Sequence, residues 1–174
     1  MRIYRERIPA IARGIVQALI KEELIEFEAS ARDEVELDCA SVLQEYRRTD
    51  WELTEKARDL VSIQGLDYSH THKIKSRLAS EKKFSMGDNA IEWLVNQMLE
   101  ILLQSNNVEE IFGDDNDLRR AIAPVLRKEL NVGGDLDQEV RRRIKNLQEG
   151  TSDFDIEYKK TMEKLRISKG MSED

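Results

Sequence analysis

The sequence predicts an all-α chain made of two related helical bundles, packed into one compact or two-lobed body. Three observations predict it. Apolar residues recur every three or four positions in one segment after another, the spacing that lines a single helix face. Only 8 glycines and 2 prolines interrupt 174 residues, so long helices meet few natural breaks. Aromatic residues make up 6%, and runs of β-branched residues are short, which argues against a large sheet.

The elements follow in order. Pro9 suits the first turn of a helix, where its missing N–H costs nothing, and Ile8, Ile11, Ala12, Ile15 and Leu19 form the stripe that follows. Ser30 with Asp33 reads as a capping box for a second helix, whose buried face is Val35, Cys39, Val42, Leu43 and Tyr46. Thr49 to Glu52 is a second capping box. Either a third helix starts there, or the second runs on to Ile63 through Leu53, Ala57, Leu60 and Val61. Gly65 is a C-terminal stop. Asp67 caps a short basic helix from Tyr68 to about Lys83, with Ile74 and Leu78 as its apolar contacts. The most apolar helix carries Ile91, Leu94, Val95, Met98, Leu99, Leu102 and Leu103. Gly113 to Asp117 is a loop that caps a helix from Leu118 to about Leu130. Gly133-Gly134 breaks that helix, and Asp135 with Gln138 opens the next, which Gly150 ends. A last helix spans Phe154 to Ile167, and the tail after Gly170 frays.

The order of elements repeats. Ser41-Val42-Leu43-Gln44-Glu45 faces Pro124-Val125-Leu126-Arg127-Lys128, Ile63-Gln64-Gly65 faces Leu147 to Gly150, and Tyr68 faces Phe154. Lys82 to Ser85 faces Lys169 to Ser172, and the apolar helix Ile91 to Leu103 corresponds to Ile11 to Leu24. The period is roughly 85 residues, shifted by loop insertions. Residues 1–86 and 87–174 are therefore expected to be two helical repeats.

A net charge of −7 repels nucleic acid and anionic membranes on average, though a local basic patch can override it. The one cysteine, Cys39, leaves no intrachain disulfide. Ile8 to Ile20 is amphipathic, interrupted by Arg13 and Gln17, and does not read as a signal peptide. Ile91 to Leu103 is too short and too polar to span a bilayer. A cytoplasmic location and no membrane partner are the expectation.

Several stretches together resemble one family. They are Ile3-Tyr4 with Ile8 to Ala12, Glu34 to Asp38, Ser41 to Tyr46, Gly65 to Ser69, Ile74 to Lys82, and Val95-Asn96-Gln97 with Gln104-Ser105. On these residues the chain resembles the bacterial domain-of-unknown-function family 507, closely over residues 1–130 and more loosely beyond. The resemblance implies no activity, cofactor or functional residue.

The residues with chemical potential carry little chemistry. His70 and His72 sit two apart on a helix start and point to different faces, so they are badly placed to share a metal. Cys39 lies on an apolar stripe and reads as core. Counting from Asp114, a calcium loop would need glycine and glutamate where Arg119 and Val125 stand, so the acidic loop reads as a helix cap. No catalytic residue, cofactor site or metal site is assigned. The basic residues Lys73, Lys75, Arg77, Lys82 and Lys83, with Arg141, Arg142 and Arg143, are candidate nucleic-acid contacts if they share a face. Trp51 and Trp93 are core anchors or, if exposed, partner-interface anchors. The first reading is a non-catalytic interaction or scaffold protein that self-associates or holds an unidentified protein partner. The second is an RNA- or DNA-binding protein using the basic helix 68–83 and the 141–145 cluster.

Overall fold

The computed structural model describes residues 3–148 and 151–169, with the side chains of 131–134 outside the description. Six α-helices and two short strands occur among the described residues: α1 (Ile8–Lys21), β1 (Ile25–Glu26), α2 (Arg32–Ile63), α3 (Thr71–Glu81), α4 (Ala90–Gln104), β2 (Glu110–Ile111), α5 (Asp115–Arg143) and α6 (Ser152–Ser168). The chain is mostly helical, as its periodicity requires.

Local signals set most of the boundaries. Pro9 falls in the first turn of α1. Asp67 accepts a hydrogen bond from the Ser69 N–H, opening the short 3-10 turn that leads into α3. Asp114 and Asp117 form a reciprocal capping box at the start of α5, and the Thr151 hydroxyl caps α6. Two expected signals act differently. Ser30 donates to the Glu28 carboxylate and caps nothing, since α2 starts from Ala31 without a side-chain cap. Thr49 and Asp50 lie inside α2, which runs unbroken because Leu53 and Ala57 continue the buried stripe. The expected break at Gly133-Gly134 does not occur: α5 continues to Arg143. Each glycine costs a helix about 1 kcal/mol, less than the burial of Leu130, Leu136 and Val140 on either side contributes. The expected stop at Gly150 and the tail after Gly170 lie outside the described residues.

Each of α1 and α4 packs against both α2 and α5, closing a four-helix ring, while α3 lies on α2 and α6 on α5. The larger apolar cluster fills this ring from Ile3 to Leu130, so it draws on residues from both sides of residue 86. A smaller cluster joins the end of α5 to α6 through Leu136, Val140, Ile144, Phe154 and Leu165. The extended N-terminal segment connects the two clusters. Ile3 enters the larger and its neighbour Tyr4 the smaller, where the Arg166 guanidinium lies 5.1 Å over the Tyr4 ring.

Buried positions recur at a fixed interval. Val35 and Leu118, Cys39 and Ile122, Leu43 and Leu126, Leu53 and Leu136, Ala57 and Val140, and Val61 and Ile144 are all buried, with the same spacing within every pair. Ile11, Ala12, Ile15, Val16 and Leu19 in α1 stand in that spacing to Leu94, Val95, Met98, Leu99 and Leu102 in α4. The strands pair antiparallel, Ile25 with Ile111 and Glu26 with Glu110, so exchanging the two strands maps the register onto itself.

Candidate functional site

Two surfaces stand out. The first is the tip of the α2–α3 hairpin, where every residue from Ser62 to His70 is exposed. Ile63 is 79% and Tyr68 75% accessible, the highest values among the large apolar side chains described, and Leu66 lies between them at 38%. Gly65 lets the chain turn here with φ +62°, a conformation that side-chain-bearing residues rarely adopt. The Asp67 carboxylate is held below its ordinary range, chiefly by the Ser69 hydrogen bonds, and stays charged beside the apolar tip.

The second surface is an open groove of about 870 Å³ between the N-terminal segment and the middle of α2. Ile3, Arg5 and Ile8 form one wall. Arg47, Arg48, Trp51 and Arg58 come from α2, and Trp51 is 63% exposed at the centre of that face.

The structure separates the residues named from the sequence. Lys75 is tied to Asp50 at 2.7 Å, and Arg77 faces Glu81 at 3.8 Å. Arg141 pairs with Asp137 and stacks over Phe154 and Tyr158 at about 6 Å, and Arg143 pairs with Glu139 at 2.7 Å. Lys73, Lys82, Lys83 and Arg142 are exposed. The first three belong to α3 and the turn after it, packed on α2, whereas the 141–143 run lies at the end of α5 beside α6. The two tryptophans differ. Trp93 is half-buried in a ring cluster, 5.5 Å from Tyr46 and 5.2 Å from Phe84, and its indole N–H donates to the Lys83 carbonyl. Trp51 points outward.

Residues with reactive or ligating chemistry are occupied structurally. Cys39 is fully buried, and desolvation, followed by Asp38 and Glu36, pushes its thiol up to about 12. His70 sits with Nδ1 3.1 Å from the Asp67 carbonyl, and His72 is exposed in the first turn of α3. In the acidic loop at 113–117, Asp114 and Asp117 spend their carboxylates on the α5 cap. Asp38 of α2 accepts from Ser105 and Asn107, just past the end of α4, the latter at 3.2 Å. Among the described residues no three His, Cys, Asp or Glu side chains form a group that could hold a metal, and no helix is long and apolar enough to cross a membrane.

Sequence reasoning missed the hairpin tip. A signal for it exists: Ile63 stands two positions beyond Val61, out of phase with the stripe through Leu53, Ala57 and Val61, so an apolar residue there has no core to enter. The Asp38 cluster left no comparable trace, because it joins residues far apart in sequence.

Fold and surface together define a mostly helical protein with two exposed features, the α2–α3 hairpin tip and the Trp51 groove. The chain matches the family model described as "Protein of unknown function (DUF507)" over residues 1–171, and it belongs to that family. No curated protein matches it.

Proposed function

We propose that this protein is a non-catalytic helical interaction protein whose α2–α3 hairpin tip docks a protein partner. The observation that carries this reading is the tip itself. Three large apolar side chains stand on a projecting turn in which all residues from Ser62 to His70 are exposed. Apolar atoms held in water at the end of a hairpin gain free energy when a partner covers them. Tyrosine is among the side chains that dominate binding energy when it enters a partner's pocket.

We further infer that residues 1–86 and 87–174 descend from one duplicated unit. The repeated order of elements, the constant spacing of buried positions and the exchange-symmetric strand register support this. In that reading α3 and α6 are counterparts, each laid on the long helix of its own half.

The test is affinity capture of the full chain from native lysate, with nuclease added, beside the Ile63→Asp/Tyr68→Asp variant. Both positions are exposed, so circular dichroism of the variant should match that of the parent. A protein retained in constant ratio by the parent and lost by the variant supports the docking tip. Equal retention by both removes the tip from the interface.

A further inference from the structure

We propose that the Trp51 groove is a binding site for a nucleotide unit, an aromatic base joined to phosphate, distinct from the hairpin tip and from the basic residues of α3. The argument starts from helical spacing. Arg47, Arg48, Trp51, Thr54 and Arg58 recur every three or four positions along α2 and share one face. That face is turned away from the ring core, which α2 fills with Tyr46, Leu53, Ala57 and Val61 instead.

Each part of the groove suits one part of a nucleotide. Trp51 offers an exposed indole at its centre, and a flat π-face stacks on any base regardless of sequence. Arg47 and Arg48 lie one turn before the indole and Arg58 two turns after it. Arg5 comes across from the opposite wall. Guanidinium groups bind phosphate through paired hydrogen bonds and also stack on bases. Asp50 is neutralised by Lys75 at 2.7 Å, and Glu55 pairs with Arg58 at 2.8 Å in an exposed contact that a phosphate would displace. Arg48 pairs with Glu45 at 2.6 Å and with Glu52 at 3.9 Å in exposed contacts, of the kind that hold weakly and can exchange a carboxylate for a phosphate. Among the described residues Arg5 and Arg47 make no ion pair. The groove is therefore a cationic, aromatic strip on a protein of net charge −7. The outward face carries Thr54 and arginines where a partner helix would need aliphatic contacts, which favours the nucleotide over an apolar helix.

The experiment is fluorescence anisotropy with the full chain and a short fluorescein-labelled oligouridylate, read at low and moderate salt, with ATP and inorganic phosphate as competitors. Trp51→Ala should weaken binding roughly tenfold through lost stacking. Arg47→Ala/Arg58→Ala should flatten the slope of log affinity against log salt by roughly 1.4, for two lost phosphate contacts. All three side chains are exposed, and unchanged circular dichroism verifies each variant. Strong oligonucleotide binding with weak ATP competition supports the site and identifies single strands as the source. Equal displacement by ATP, but not by phosphate, supports it and identifies free nucleotides. No binding of either probe, or binding that neither substitution changes, overturns it and leaves the reading of the hairpin tip untouched.

Discussion

Lys75 Nζ lies 2.7 Å from Asp50 Oδ1, and this contact fastens the basic helix α3 to the middle of α2. The lysine is largely covered, with its side chain 16% exposed, so it is a packing residue of the helix pair. Replacing it with methionine keeps the aliphatic stem and removes the charge. We expect a double-mutant cycle with Asp50→Asn to give a coupling of about 1 kcal/mol, read by urea unfolding. Zero coupling would mean that the contact contributes nothing to the α2–α3 hairpin.

Tyr158 donates its hydroxyl to Asp137 and joins α6 to α5. The hydrogen bond from Tyr158, followed by Arg141, holds the Asp137 carboxyl below its ordinary range. A lowered carboxylate stabilises the fold above its unfolded pKa and loses that contribution as pH falls through the folded value. Burial and then Asp137 push Tyr158 the other way, up to about 12. Its contribution is complete below the ordinary tyrosine range and is lost as pH climbs toward 12. Tyr158→Phe should therefore flatten the stability profile at both acid and alkaline ends, as measured by thermal melts across pH. An unchanged profile would count against the pair.

The two apolar clusters should open separately. The α6 cluster rests on Leu136, Val140, Ile144, Phe154 and Leu165, far fewer side chains than fill the ring. Hydrogen exchange should show α6 amides exchanging faster than those of α1 and α4, and Phe154→Ala should accelerate α6 alone. Equal acceleration throughout would show one cooperative unit.

Inside the ring, Leu43 and Leu126 occupy matching buried positions on α2 and α5. Either substitution to alanine should cost about 2–5 kcal/mol. Because α1 and α4 each touch both long helices, calorimetry should show the ring melting in one transition in both variants. Separate transitions for the two halves would contradict a shared core.

Much of this fold was legible in the chain because amphipathic spacing is a local property. Ile11 to Leu19 and Leu94 to Leu102 announce their buried faces without reference to any partner. The continuity of α2 was not legible. Thr49 to Glu52 has the composition of a helix start, and only the burial of Leu53 and Ala57 against other helices decides that the backbone runs through. Gly133-Gly134 misled for the same reason. The tryptophans show the limit most clearly. Trp51 and Trp93 both sit within helical runs, yet Trp93 meets Tyr46 and Phe84 while Trp51 faces solvent, a difference set by tertiary packing. Sequence alone leaves open whether the basic residues of 73–83 and 141–143 share a face, whereas packing places them on different helix pairs and pairs several with carboxylates.

The central claim is that the hairpin tip docks a protein, and site-specific cross-linking tests it most directly. A photo-reactive phenylalanine analogue placed at Tyr68, and in a control at exposed Lys128, would be irradiated in living cells. We expect a discrete cross-linked product from position 68 and none from 128, its mass showing either a second copy of this chain or a different protein. No product from position 68, or the same products from both positions, would contradict the claim.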